Sequence, residues 1–185
     1  MRLSEFYNQL EPKSDKGTEH DYINGYYCAE FTPRKNEYIR IMEIGVLNGE
    51  SINLWDKYFV NAVEISGVDI NITNQAINIV QAVDGHPILI NADAYSVEFA
   101  KIQLNDFYDY IIDDGPHTLW SQINFIELYY KKAKKGGKLI IEDIQSKSDL
   151  EAIEQRLKEL KYKYKIFDLT ANKGRYDDII IEITK

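Results

Sequence analysis

One cysteine, Cys28, occurs in 185 residues. Its solitude excludes an intrachain disulfide and any zinc site built from clustered cysteines, and it fits a reducing compartment. Cys28 itself reads as a small buried hydrophobe rather than a catalytic thiol. The N-terminus lacks a basic start followed by an apolar run, so no signal peptide is expected, and no run approaches membrane-spanning length. Positive charge is also short, with 22 Lys and Arg against 30 Asp and Glu and a net charge of -8. That balance argues against a surface that tracks nucleic-acid phosphates. The one cationic run, residues 131–135, reads as a last helical turn opposing the helix macrodipole, with Gly136 and Gly137 as the stop. Internal repeats, low-complexity segments and interdomain linkers are missing too. What is left is 44% hydrophobic and 28% charged, an ordinary composition for one soluble, cytoplasmic domain.

Strand-like apolar runs alternate with helical periodicity along most of the chain. Residues 39–46, 62–70, 87–91, 108–113 and 138–144 are predicted strands. Between them Ile52, Trp55 and Phe59 fall at helical spacing, as do Ala76 and Val80, and then Leu119, Ile123, Ile126 and Tyr130. Ser148 and Glu151 have the spacing of a capping box for a helix carrying Leu150, Ile153, Leu157 and Leu160. Such alternation implies a parallel sheet with helices on both faces. Residues 164–169 and 178–184 are two more strands, joined by a turn-rich stretch (Asn172 to Arg175) too short for a crossover helix. They predict an antiparallel hairpin at the end of the sheet. Residues 1–37 lie outside the alternation, are polar and rich in tyrosine, and read as a helical cap or lid over the sheet edge; residues 38–185 carry the α/β unit.

Two predicted strands stop abruptly in acids, at Asp113-Asp114-Gly115-Pro116-His117 and at Glu142-Asp143. In an open parallel sheet, ligands bind in the crevice at the carboxyl edge. Neighbouring strands lie about 4.8 Å apart, so residues that close them can share one ion. Asp114, Glu142 and Asp143 offer hard oxygens that suit Mg2+, and His117 is the candidate general base. The plainer alternative is that the acids cap loops and that His117 only hydrogen-bonds its own turn. Asp113 is expected to shape the turn or a cofactor pocket.

The first strand runs into Glu43-Ile44-Gly45-Val46-Leu47-Asn48-Gly49-Glu50-Ser51 before a helix opens. Glycines there let the backbone turn sharply and approach a ligand. The spacing is not G-x-G-x-x-G, because Leu47 stands where its second glycine would be. Asp69 closes the second strand, where an acid can grip ribose hydroxyls. Asp93, after the third, is placed to meet the base or the amino-acid part of a ligand, with a simple loop acid as the alternative.

These residues together resemble the class I S-adenosylmethionine-dependent methyltransferases. The finer resemblance is to the metal-dependent sugar O-methyltransferases of macrolide and aminocoumarin biosynthesis, the macrocin and mycinamicin type. That family carries Asp-Asp-Gly-Ser-His after strand four and Glu-Asp after strand five, and its leader is similar to Asp15-Lys16-Gly17-Thr18, His20 and Tyr22 here. The match covers nearly the whole chain. It implies a Rossmann-like, doubly wound sheet of seven strands, mostly parallel, with the C-terminal antiparallel hairpin and a short N-terminal cap. It also implies S-adenosylmethionine held by Glu43, Gly45, Gly49, Ser51, Asp69, Asp93 and Asp113. The resemblance further implies Mg2+ on Asp114, Glu142 and Asp143, with His117 and Asp114 catalytic and a sugar hydroxyl as the acceptor. Relatives of this type self-associate, which implies a homo-oligomer. Two departures stand out: Pro116 replaces the usual serine, and little chain follows Asp143 to build a substrate wall.

Other readings stay open at this level. A catechol or phenol also presents a hydroxyl to Mg2+. A nicotinamide-dependent oxidoreductase uses a similar sheet, and a cofactor-binding partner without turnover would keep the same residues. Lys16 and His20 reach the site if the leader folds over it and are otherwise solvated. Tyr22, Tyr26 and Tyr27 are candidates for a stacking surface under a sugar or adenine ring. His86, beside Pro87 at a strand entry, reads as structural.

Overall fold

Strands that bury both faces and helices that bury one stripe leave a three-layer sandwich as the way to remove all of that surface from water. The computed structural model describes residues 1–81 and 87–185; His86 lies outside the described residues. The strands are β1 (Arg40–Ile44), β2 (Glu64–Asp69), β3 (Ile88–Asn91), β4 (Tyr108–Asp113), β5 (Ala133–Ile141), β6 (Lys163–Asp168) and β7 (Ile179–Thr184). They form one sheet in the order β3-β2-β1-β4-β5-β7-β6. Pairings among β1 to β5 are parallel, and β7 runs antiparallel to both β5 and β6. The sheet is therefore the seven-stranded, mostly parallel one the sequence predicts, with β7 of the terminal hairpin inserted beside β5 and β6 at the edge.

The helices are α1 (Leu3–Gln9), α2 (Asp15–Thr18), α3 (Cys28–Phe31), α4 (Glu50–Tyr58), α5 (Asn74–Val80), α6 (Val97–Ile102), α7 (Leu119–Tyr129), α8 (Lys147–Leu160) and α9 (Thr170–Lys173). One face of the sheet packs against the leader, α4 and α5, where Tyr27, Phe31 and Trp55 meet Tyr110, Ile112 and Ile140. The other face packs α6, α7 and α8, with Phe99, Phe125, Ile153 and Leu157 over Met42, Ile111 and Leu139. The N-terminal helical cap packs its aromatic residues against a face of the sheet and also reaches over its carboxyl edge, where Lys16 meets Asp114 and Glu142. Its aromatic bodies explain this: the Phe31 ring sits 4.7 Å from Tyr110 and 5.1 Å from Trp55. Each ring buried this way stabilises the fold by roughly 2–3 kcal/mol relative to exposure. Cys28 is buried in this layer, as expected. No helix among the described residues is long and apolar enough to cross a membrane.

Several local expectations shift. The lysine run is not the end of a helix: α7 stops at Tyr129 and β5 begins at Ala133. Lys134 Nζ is 2.7 Å from Asp109 Oδ2, so the run braces the sheet rather than a helix dipole. A register shift between Tyr108 and Tyr110 absorbs the two glycines, and Tyr108 and Tyr110 consequently face opposite layers. The cap of α8 is Ser146, whose side chain accepts from the Asp149 amide at 3.1 Å, two residues before the predicted Ser148. Helix α6 was not legible, being short, with only Phe99 and Ala100 buried. The hairpin connection holds the one-turn helix α9.

Candidate active site at the sheet switch point

Strand order reverses between β1 and β4, so their loops part and leave a crevice at the carboxyl edge. The turn after β1 carries positive φ at Gly45 (94°), Leu47 (48°) and Gly49 (88°). Gly45 is required by a close approach as well: a Cβ there would lie 1.9 Å from the Asp114 carbonyl oxygen. The Asp114 amide in turn donates to the Ile44 carbonyl at 2.8 Å, tying the end of β4 to the glycine turn. From the other side, Asp69 accepts the Val46 and Asn71 amides, each at 2.9 Å.

The crevice is a cavity of about 490 Å³, a volume that suits a nucleoside-sized ligand. Of the residues singled out from the sequence, Gly45, Ser51, Asp69, Asp93, Asp114, His117 and Asp143 line it. Its walls are otherwise apolar, with Ile44, Val46, Val68, Ala92 and Ala94, and sequence reasoning missed Ile70 and Tyr95 among them. Glu43, Gly49, Asp113 and Glu142 stand behind this surface. Glu43 accepts from Trp55 Nε1 at 2.5 Å. Gly49 is the N-cap of α4. Asp113 accepts from the Tyr95 hydroxyl, and burial pushes its carboxyl up to about 7.

The leader supplies what the acids touch. Lys16 Nζ lies 2.5 Å from Asp114 Oδ2, 2.5 Å from Glu142 Oε2 and 3.5 Å from Glu43 Oε1. Burial alone would lower the pKa of this ammonium, but the three carboxylates raise it well above its ordinary value. The other Glu142 oxygen accepts from Tyr27. Tyr22 donates to Asp143 and Tyr26 to Glu182. All three tyrosines are buried, so they act as hydroxyl donors to buried acids and present no stacking surface. That corrects the sequence reading, which weighed their rings and not their oxygens.

His117 lies near Asp114 and Asp143, with Nε2 3.8 Å from Asp114 Oδ1 and 3.5 Å from Asp143 Oδ2. Burial lowers its pKa, which keeps the imidazole neutral near pH 7. Candidate ligand atoms of Asp114, His117 and Asp143 all lie within 4.8 Å of one another. His20, Asp143 and Asp178 form a second such group, buried behind the first; His20 Nδ1 is already 2.6 Å from Asp178 Oδ1. Glu142 is not in either group.

The donor set fits a divalent cation. Burial first, and then neighbouring acids, push Asp114 and Glu142 upward despite Lys16. Three carboxyl groups, those of Glu43, Asp114 and Glu142, surround the single Lys16 ammonium. The buried Asp178 Oδ2 has no hydrogen-bond partner among the described residues. The cavity suits a nucleoside as well, with apolar walls and the carboxylates of Asp69 and Asp93 among its lining.

No family model matches the chain. It is 26% identical over 143 residues to the L-olivosyl-oleandolide 3-O-methyltransferase of Streptomyces antibioticus, a match that covers 72% of this chain and 35% of that protein. Among solved structures it resembles the MycE methyltransferase from the mycinamycin biosynthetic pathway, in complex with Mg, SAH and mycinamycin VI. The TM-score is 0.74 at 19% identity, covering 100% of this chain and 54% of that one. A SAM-dependent methyltransferase from Archaeoglobus fulgidus aligns with a TM-score of 0.60 at 16% identity, over 94% of this chain and 95% of that one. The chain spans about a third of the curated relative it matches and about half of MycE. These likenesses establish the class I methyltransferase fold.

Proposed function

We propose that this chain is an S-adenosylmethionine-dependent O-methyltransferase whose acceptor is a hydroxyl of a sugar or glycosylated small molecule, assisted by Mg2+. The observation that carries the reading is the meeting of Asp114, His117 and Asp143 on the wall of a nucleoside-sized cavity at the sheet switch point. The sugar-directed activities named for the similar proteins support the choice of acceptor.

The glycine turn and Ser51 would receive the amino-acid end of the methyl donor, Asp69 its ribose hydroxyls and Asp93 its base. Asp114 and Asp143 would hold Mg2+, which when bound lowers the pKa of a neighbouring hydroxyl. Mg2+ takes oxygen ligands, so the neutral His117 ring stays free beside it. His117 accepts the proton of the acceptor hydroxyl at a ring nitrogen. The methyl donor, when bound, would supply an electrophilic methyl carbon to that oxygen and leave as S-adenosylhomocysteine.

Titration with S-adenosylhomocysteine, first with Mg2+ and then with EDTA, tests the reading. Micromolar binding is expected, together with an EDTA-sensitive methyl transfer to sugars in preference to catechols. Absence of binding in both conditions would remove the methyltransferase assignment. Asp114→Asn should keep the S-adenosylhomocysteine affinity and lose the metal-dependent turnover.

A further inference from the structure

Three aromatic side chains are exposed among the described residues, Tyr38, Trp120 and Tyr176. A lone exposed ring needs no explanation, but two of these belong to the loops that carry the site. Trp120 is the second residue of α7, three after His117, and is 66% exposed. Leu119, Phe125 and Ile126 of the same helix turn into the core, whereas the indole joins neither core cluster. Its ring neighbours that of Tyr95, with centroids 6.3 Å apart, and Tyr95 lines the cavity. Tyr176 stands on the connection before β7, and its hydroxyl donates to Gln145 at 3.0 Å. Both aromatics are tied to one point. Gln122, two residues after Trp120, donates to the Asp143 carbonyl at 3.3 Å, and Gln145 donates to the same carbonyl at 3.2 Å. The carboxylate of that residue lies 3.5 Å from His117.

We propose that Trp120 is the acceptor platform of this chain: a sugar ring stacks one C–H face on the indole and presents its hydroxyls toward His117 and Asp143, with Tyr176 as a second contact. The inference rests on reading the site as that of a sugar O-methyltransferase, and it names what grips the acceptor. A pyranose carries its hydroxyls at the rim and polarised C–H bonds on its faces, and those bonds suit the negative face of an aromatic ring. Tryptophan offers a wide face that turns about only two torsions, so little conformational entropy is lost when it is covered. The platform is also fixed beforehand. Thr118 caps α7 by accepting the Ser121 amide at 3.1 Å, and Gln122 holds the first turn against the carbonyls of Glu142 and Asp143. Trp120 is a specificity residue, and no bond or proton changes at it.

The chain has two tryptophans, of which Trp55 is fully buried and Trp120 is open to solvent. Acrylamide quenching of tryptophan emission therefore reads Trp120, and the quenchable emission should vanish in Trp120→Phe. The probes are methyl rhamnoside, methyl glucoside and methyl galactoside, added to the parent chain together with S-adenosylhomocysteine and Mg2+. S-adenosylhomocysteine and Mg2+ alone should leave the quenching constant unchanged, and a glycoside that covers the ring should lower it about threefold or more. By calorimetry Trp120→Ala should weaken that glycoside about tenfold or more and Trp120→Phe about threefold or less, with S-adenosylhomocysteine affinity within about twofold in both. Protection by S-adenosylhomocysteine alone would give the indole to the methyl donor. Protection by catechol and by no glycoside would seat an aromatic acceptor there. Either result overturns the proposal, as does a glycoside that binds and leaves Trp120 quenchable, or a failure of every glycoside to bind. In all these cases S-adenosylhomocysteine binding keeps the methyltransferase reading. Failure of S-adenosylhomocysteine to bind removes that reading and the acceptor role with it.

Discussion

Lys16 and Glu142 are 126 residues apart in the chain and 2.5 Å apart in the fold. The same division of labour recurs beside them, with Tyr22 on Asp143 and His20 on Asp178. The sheet contributes the acids and the leader contributes the groups that hydrogen-bond them. Removing either partner of such a buried pair is costly, because the other is left charged or unpaired out of water.

His117→Ala should lower turnover by a factor of about 100 to 10,000 while S-adenosylhomocysteine affinity stays within about threefold. The histidine reaches the cavity from a left-handed backbone position (φ 53°). Steady-state rates beside calorimetry make the check, and an unchanged rate assigns His117 to the loop alone.

Gly45→Ala should be severe. The added carbon meets the Asp114 carbonyl at 1.9 Å, and φ is 94°. Strain and clash together should remove about 3 kcal/mol or more of stability, with loss of S-adenosylhomocysteine binding. Thermal melts and calorimetry read both, and a parent-like melt would mean that the turn has another conformation.

Asp109 offers a pH-dependent test remote from the cavity. It is buried, and it accepts from Lys134, the Arg40 amide and Arg34 at 2.7, 2.8 and 3.0 Å. Burial would raise its carboxyl, but these donors outweigh burial and hold it below its ordinary value. Unfolding restores the ordinary pKa of about 3.9, so the unfolded chain takes up the proton first as pH falls. The stabilisation is therefore complete well above pH 4 and is lost as pH drops through the lower, folded value. Asp109→Asn should cost about 2 kcal/mol at pH 7, and the gap to the parent should close below about pH 4. Urea midpoints across pH measure it; a gap that persists in acid would show that charge is not its source.

The start of α8 separates two serines. Ser146→Ala removes the side chain that accepts the Asp149 amide and should cost about 1 kcal/mol. Ser148→Ala lies inside the first turn and should change stability by less than about 0.5 kcal/mol. Equal losses in urea denaturation would place the cap elsewhere.

The parts of the fold legible in the sequence are those fixed by local pattern. The bounds predicted for β4 coincide with the observed Tyr108–Asp113, because an apolar run broken only by Asp109 ends in an acid there. The start of β5 was hidden by lysines whose aliphatic stems lie along a sheet while their ammonium groups find Asp109 and backbone carbonyls. Asp69, Asp93 and Asp114 were placed at the crevice by strand ends alone. What Glu142 touches was not readable, since its partners Lys16 and Tyr27 lie more than a hundred residues away and no periodicity encodes that distance. The tyrosines misled for a related reason: a ring reports burial, whereas the hydroxyl at its tip answers an acid that only the tertiary fold supplies.

The strand that follows β6 in the chain, β7, is not at the margin of the sheet but between β5 and β6. During synthesis β5 therefore waits with an open flank until residues 179–184 emerge, and β6 has no neighbour at all. Asp178 reaches the ribosomal exit with that same segment, so the partner of His20 is missing for just as long. A nascent chain interrupted before β7 exposes a bare strand edge that invites pairing with other chains. The acids of the cavity thus complete their hydrogen-bond network with the leader only when β7 has sealed the flank of β5.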